Sequence, residues 1–320
     1  LVVGAGGIGG YFGARLLAAG RRVTFLVRAR RAAALRRTGL VVTSAAGDLR
    51  LESPPTVAAA ELDASYDLIL LSCKAYDLES CIADFSPAMQ AHTQVLPLLN
   101  GMRHLDVLDA RFGSRRVLGG VARISTTLDA QGHIHHWGHF NALIFGARGA
   151  AGAAGAAAAP QLAGIARALK VPGFDATASG RIMQDMWEKW VFIASAAALT
   201  ASMRATVGDI VAAGAADIAA GLMRESAAIA AENGFPPSQA ALEAGLAVLT
   251  APGSSFTASM FRDIENNSRI EGEQIVGDLL ARSTTAHPLL SVANAHLRAY
   301  EARRTREVGA AQAGAAPPGG

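Results

Sequence analysis

Six residues near the start of the chain, Gly4-Ala5-Gly6-Gly7-Ile8-Gly9, have the spacing of a phosphate cradle. They follow an apolar run, Leu1 to Val3, and open a stretch in which Ile8, Tyr11, Phe12, Leu16 and Leu17 recur at helical spacing. In that context the glycines allow a tight turn and a close approach of backbone to a pyrophosphate, and the helix N-terminus offers N–H donors to its charge. Gly4, Gly6, Gly7, Ile8 and Gly9 are therefore candidate cofactor-binding residues. The bland alternative is a glycine-rich loop in an Ala/Gly-biased chain. The end of the next β-rich run, Val23 to Val27, decides which dinucleotide is meant. An acidic residue there would accept the ribose 2′-hydroxyl of NAD, whereas arginine suits the 2′-phosphate of NADP. The run ends in Arg28-Ala29-Arg30-Arg31, and no acid appears before Asp48. This favours NADP(H), with Arg28 on the 2′-phosphate and at least one of Arg30 and Arg31 in a solvated helix start.

The elements that must position these groups follow from the apolar pattern. Asp67 to Cys73 reads as a third strand and Gln94 to Leu99 as a fourth, with Pro97 placing the latter at a strand end or sheet edge. Apolar strands alternating with helical stretches imply a parallel sheet covered on both faces. Lys74 and Asn100 follow the third and fourth strands, at the carboxyl edge where open α/β sheets bind ligands. Asn100-Gly101 is equally a common turn dipeptide. Between Val117 and Gly146 alternation suggests a hairpin turning at Gly132. Gly149 to Ala159 is a Gly/Ala loop or helix start, with Pro160 in a first helical turn. From Arg181 onward the pattern is helical.

The fold class expected is α/β: an NADP-binding Rossmann-type parallel-sheet domain over 1–179, then a mostly α-helical substrate and catalytic domain over 180–308. Residues 309–320 read as a disordered tail. A chain of 320 residues suits two domains, and 51% hydrophobic against 17% charged residues excludes global disorder. The formal net charge of only +3 does not indicate nucleic acid as a partner. Two cysteines, Cys73 and Cys81, make no disulfide framework, so a cytoplasmic setting is expected. No apolar run reaches the ~18 residues of a membrane helix. The opening at Leu1, already in a strand pattern, leads to the expectation that a few residues precede it.

Four separated stretches resemble the ketopantoate reductase (2-dehydropantoate 2-reductase) family: GAGGIGGYFGARL from Gly4, Lys74 in SCKAYDL, Asn100 in LLNGM, and a lysine-bearing helix followed by a Ser/Glu segment. The resemblance covers nearly the whole chain. It implies a Rossmann domain, a helical domain and a cleft between them that holds the active site. It also implies that Lys189, in MWEKW, donates a proton to the substrate carbonyl as NADPH delivers hydride. Ser259 would then bind substrate, and Glu271, twelve residues on, would orient the substrate or the lysine. Asn100 would reach the nicotinamide ribose or the substrate, and Lys74 would contact the cofactor. Read without the resemblance, Lys189 is a surface lysine paired with Asp185, and Ser259 and Glu271 are ordinary polar residues.

One departure bears on the substrate. Four and eight residues beyond the lysine, well-known family members carry asparagines that face the substrate, but here Ile193 and Ala197 stand there. Three readings follow: NADPH-dependent reduction of 2-dehydropantoate to pantoate in pantothenate biosynthesis, reduction of a less polar 2-oxo acid or other carbonyl compound, and a non-catalytic NADP-binding module. The partner expected is a small 2-oxo acid, and the apolar helical domain suits a homodimer. His133, His135, His136 and His139 invite a metal, but no Cys or acidic partner completes a ligand set, so they are assigned to structure and no metal is expected. Cys73, at the end of an apolar strand, is assigned to packing.

Overall fold

The computed structural model describes residues 1–62, 66–149 and 153–314. Contacts divide these into two units, one built from the described residues within 1–99 and 103–186, the other from 100–102 and the described residues from 187 onward.

The first unit begins β1 (Val2–Val3), α1 (Gly7–Ala18), β2 (Phe25–Leu26), α2 (Ala29–Thr38), β3 (Leu40–Thr43), β4 (Leu49–Leu51) and β5 (Thr56–Val57). It continues through β6 (Leu68–Leu71), α3 (Leu78–Phe85), β7 (Gln94–Pro97), α4 (Arg103–Phe112), β8 (Gly119–Leu128) and β9 (Ile134–Gly146). α5 (Ala153–Leu169) and β10 (Asp175–Ala178) follow. One sheet has the order β5-β2-β1-β6-β7, parallel throughout, with Val2 opposite Phe25 on one side and Leu70 on the other. The winding reverses between β1 and β6, and at such a switch the carboxyl ends of the strands open a crevice for ligands. Both residues of β1 are buried, as a strand covered on both faces requires. Pro97 closes β7, the last strand in that order, where a missing N–H costs no ladder bond.

The expected hairpin is β8 against β9, antiparallel, with a register shift between Ile124 and Ser125 and a turn at Gly132 (φ 86°). Along its other side β9 pairs in parallel with β3 and with β10. β3, β4, β5 and β10 have no counterpart in the sequence reading. They are two to four residues long, and DATA in β10 alternates polar residues only with alanine, with no β-branched aliphatic or aromatic residue to mark a strand; pairing with β9 makes it one. The core between sheet and helices is mostly aliphatic and holds an aromatic cluster, with Phe12 edge-on to Phe174 at 4.9 Å and the Tyr11 hydroxyl donating to the Gly173 carbonyl at 2.8 Å.

Three expectations are corrected. α5 begins at Ala153, so Pro160 lies inside the helix rather than in its first turn, because the alanine run before it is itself helix-forming; residues 150–152 lie outside the described residues. The histidine hairpin does have an acidic partner. Asp129 accepts from the backbone of Gln131 and His133 and meets His135 Nε2 at 2.9 Å and His133 Nδ1 at 3.4 Å. The hydrogen bond with His135 is the first cause that holds its carboxyl below the usual carboxylate range. The tail expected from 309 continues instead as helix to Gly314, again through alanine-rich sequence, and 315–320 lie outside the described residues.

The second unit is helical. It takes most of α6 (Ile182–Met203), then α7 (Val207–Ala212), α8 (Ala216–Glu232), α9 (Gln239–Leu249), α10 (Ser259–Glu265), a π turn over Glu273–Gly277, α11 (Asp278–Ala281) and α12 (Pro288–Gly314). Two of the three hydroxyls of α6 are satisfied, while Ser202 Oγ is buried with no hydrogen-bond partner among the described residues. Ser195 donates to the Val191 carbonyl at 2.8 Å and lies 3.0 Å from Ser226 of α8, and Thr200 donates to the Ala196 carbonyl at 2.8 Å. Glu225 of α8 accepts from the backbone N–H of Leu289 and Leu290, at 3.1 and 2.9 Å, and so caps the start of α12.

Candidate functional site

In the first unit the glycine turn is tightly bound by its neighbours. Gly4 adopts φ 89°, a backbone that side chains disfavour. A Cβ on Gly9 would stand 1.9 Å from Ser72 Oγ and 2.4 Å from the Gly4 carbonyl, and one on Gly7 would stand 2.6 Å from Thr126 Oγ1. Gly6 differs, since among the described residues no atom beyond its own chain neighbours lies within 4 Å of where its Cβ would be. Gly6 is also the N-cap of α1, which has no side-chain cap and no acid in its first turn. Those N–H groups therefore suit an anion, and Gly6 is the position where packing within the protein does not itself demand glycine.

Two residues that the sequence reading missed hold this turn. Ser72 Oγ, at the end of β6, donates to the Val3 carbonyl at 2.9 Å, with the Gly4 carbonyl 3.2 Å away. Arg31 Nε donates to the Ala5 carbonyl and its Nη1 to the Gly132 carbonyl, both at 2.9 Å. Arg31 is thus a strut between the glycine turn and the β8–β9 turn. A hydroxyl closing an apolar strand was the visible signal for Ser72; nothing local distinguished Arg31 from Arg30.

Arg28 stands at the N-cap position of α2 without a side-chain cap bond; its side chain is 61% exposed, with Nη2 donating to Ser80 Oγ at 2.9 Å and Nη1 lying 3.5 Å from Asp77. Lys74 is half-buried directly after β6. Cys73, just before Lys74, is hydrogen-bonded to Cys81; that bond and burial push its thiol up, away from the reactive thiolate.

In the second unit, Lys189 is half-buried on α6, flanked in sequence by Trp187 and Trp190, whose indoles are both buried. The rings of Trp187 and Trp190 are 5.0 Å apart, and Trp187 stacks on Phe235 at 5.7 Å. Asn100 is half-buried and belongs to this unit with Gly101 and Met102. Gly101 (φ 76°) rests on the π turn, where a Cβ would lie 2.4 Å from the Gln274 carbonyl. Glu271, two residues before that turn, is buried, and its carbonyl accepts from Ile275 N–H at 3.0 Å. The structure thereby brings together the segments carrying Lys189, Asn100 and Glu271. Ser259 is exposed at the first position of α10, and its segment packs further along α6: Ala258 N–H donates to Thr200 Oγ1 at 3.2 Å, and Phe256 meets Phe192 at 6.0 Å. Ile193 is half-buried and Ala197 buried, one and two turns beyond Lys189 on the same stripe of α6.

Residues 1–149 match the family described as "Ketopantoate reductase PanE/ApbA", and residues 181–298 match its C-terminal family, "Ketopantoate reductase PanE/ApbA C terminal". The chain belongs to the ketopantoate reductase family. It is similar to the Bacillus subtilis protein "Uncharacterized oxidoreductase YkpB", 34% identical over 308 residues that cover 95% of this chain and 99% of that one. Among solved structures it resembles 2-dehydropantoate 2-reductase from Geobacter metallireducens, 26% identical with a TM-score of 0.82 over 93% of this chain and 99% of the other. D-mandelate dehydrogenase, solved with NADH and anilino(oxo)acetate, shares the fold: TM-score 0.83, 21% identity, 95% of this chain and 100% of the other. A member of the ketopantoate reductase family with this Rossmann sheet and helical unit is an oxidoreductase. Among the described residues, no helix is long and apolar enough to cross a membrane.

Proposed function

We propose that this oxidoreductase reduces a 2-oxo acid to the 2-hydroxy acid with NADPH, and that Lys189 is the proton donor. When bound, the cofactor supplies the hydride that attacks the carbonyl carbon; the oxygen then takes a proton, giving the alcohol and NADP⁺. Gly6 carries the cofactor half of this reading. Its neighbours press on Gly7 and Gly9 but leave Gly6 open, as a backbone approached by a pyrophosphate needs.

Composition supports the catalytic half. Lys and Arg together number 29, yet only Lys74, Lys170 and Lys189 are lysine. A chain that uses arginine for almost every cation keeps lysine at two of the three basic site positions singled out, Lys74 and Lys189, with arginine at the third, Arg28. Arginine cannot give up its proton near neutral pH, whereas a lysine ammonium can stabilise a developing alkoxide and protonate it. Glu271, buried near the π turn, orients the ammonium or the substrate hydroxyl, and Asn100 offers an amide to the nicotinamide ribose or the substrate. Ser259 hydrogen-bonds the substrate, and Lys74 meets the cofactor phosphates.

Arg28, exposed at the end of β2, takes the 2′-phosphate. Replacing it with alanine is expected to raise KM for NADPH by about tenfold or more, the order of one charge-assisted hydrogen bond, and to leave KM for NADH unchanged. Equal effects on both cofactors would remove Arg28 from this role.

The substrate of the first reading is 2-dehydropantoate, which would place the enzyme in pantothenate synthesis in the cytoplasm. Ile193 and Ala197 favour a second, a 2-oxo acid with an apolar side chain, because a stripe without amides leaves a substrate hydroxyl unpaired. That one fold also serves a mandelate dehydrogenase shows that the fold does not choose the acid. NADPH oxidation with 2-dehydropantoate beside a panel of aliphatic and aryl 2-oxo acids tests both. Preference for 2-dehydropantoate supports the first reading, and preference for an apolar acid the second; turnover of none returns the protein to a nucleotide-binding role. If the apolar acid is preferred, the double variant Ile193→Asn/Ala197→Asn is expected to shift the kcat/KM ratio toward 2-dehydropantoate by about tenfold or more.

A further inference from the structure

Trp190 follows Lys189 directly, and its ring is among the largest fully buried side chains of the molecule. An indole N–H can only donate, and buried it must find an acceptor. It donates to the Ile275 carbonyl at 2.9 Å, in the middle of the π turn. A π turn widens the helical ladder and is a recurrent device at working sites. On this turn the backbone of Gly101 rests against the Gln274 carbonyl, and Trp190 Nε1 is 3.9 Å from the point where a Gly101 Cβ would stand. The Trp190 indole, the π turn and the Asn100-Gly101 turn therefore meet at one place. Lys189 is one residue from it along α6, Asn100 one residue along the turn, and Glu271 is tied to it through the hydrogen bond from Ile275 N–H. The ring is braced by Trp187 at 5.0 Å and by the Arg282 guanidinium at 5.4 Å from its centre, itself held by Asp278 at 3.2 Å.

Taking Lys189, Asn100 and Glu271 as the working groups of the reaction proposed above, we infer that Trp190 is a positioning residue. Its N–H bond to Ile275 sets the separations among those three side chains, and the ring alone does not. The bond spans 85 residues of sequence, so it locks two segments that nothing local holds in register.

The test removes the N–H and keeps the ring. Site-specific incorporation of 3-benzothienylalanine at position 190 replaces N–H by sulfur in a bicycle of the same shape. Expected are an unchanged NADPH dissociation constant, a Tm within a few degrees of the parent, and a kcat for the preferred 2-oxo acid lowered about tenfold, the order of one hydrogen bond. The Lys189 titration midpoint, followed by NMR of ¹³C-methylated lysines in a chain with only three, is expected to move from that of the parent protein. Unchanged kcat and an unchanged midpoint overturn the proposal, as does a fall in kcat that merely tracks a lost Tm and a raised KM. The NMR titration needs no turnover. If the parent protein reduces no 2-oxo acid, the proposed function fails while the titration still decides the role of Trp190. Should the benzothienyl protein not fold, the same readings on Trp190→Phe decide it.

Discussion

Lys189→Arg is expected to lower kcat by about 10²- to 10⁴-fold, the usual contribution of a positioned general acid, while NADPH binds as before. The substitution keeps a cation and much of the aliphatic stem, so electrostatic attraction for a carboxylate substrate persists and KM changes little. What disappears is a proton that can leave near neutral pH. Lys189→Ala, which also removes the charge, should lose as much in kcat and raise KM in addition. Steady-state NADPH oxidation with the preferred acid, beside fluorescence titration of NADPH, separates the two. If Lys189→Arg kept the parent rate, the lysine would be an electrostatic anchor and the proton would come from elsewhere.

Alanine at Gly6 and at Gly9 should fail in opposite ways. At Gly6 a methyl group meets no atom of the described residues within 4 Å beyond its own chain neighbours, so Tm should stay within a few degrees, an N-cap Gly to Ala change costing of order 1 kcal/mol or less. NADPH affinity should nevertheless fall by about a hundredfold or more, because the methyl occupies the approach of the pyrophosphate. At Gly9 the methyl would collide with Ser72 Oγ and with the Gly4 carbonyl, a backbone atom that cannot turn away. Gly9→Ala should therefore unfold several degrees lower, through an overpacking cost of about 1–3 kcal/mol, and lose cofactor binding as a consequence. Calorimetry with and without NADPH distinguishes the cases. A Gly6→Ala protein that bound NADPH normally would remove the glycine turn from the cofactor site.

Much of this architecture was legible because it is written locally. The glycine turn, the buried strands β1, β6 and β7 and the long helix α6 each announce themselves within a dozen residues. Of the candidate groups, Asn100 could be named from its place after a strand, and Lys189 and Glu271 only through the resemblance to the family. What holds them could not, because it consists of contacts between distant segments. The Trp190 indole and the Ile275 carbonyl are 85 residues apart, and Arg31 meets Gly132 across 101. In the sequence Arg31 is one of a run of arginines, and only the fold reveals that it braces the glycine turn while Arg30 stays exposed. The same holds for β10, whose DATA becomes a strand through pairing with β9, and for Asp129, which joins the histidines because the hairpin folds back on itself. The π turn is an adjustment of backbone pitch, and residue types do not record it.

The three tryptophans differ sharply in environment, and that difference makes the molecule its own fluorometer. Trp137 lies in the first unit and is 58% exposed on the β8–β9 hairpin, whereas Trp187 and Trp190 are buried in the second. Iodide in solution should quench the hairpin emitter and spare the α6 pair, and Trp137→Phe would leave emission from the helical unit alone. Denaturation of that variant, followed by intrinsic emission and in parallel by the circular dichroism of the whole chain, would show whether the helical unit loosens on its own or only when the Rossmann sheet does.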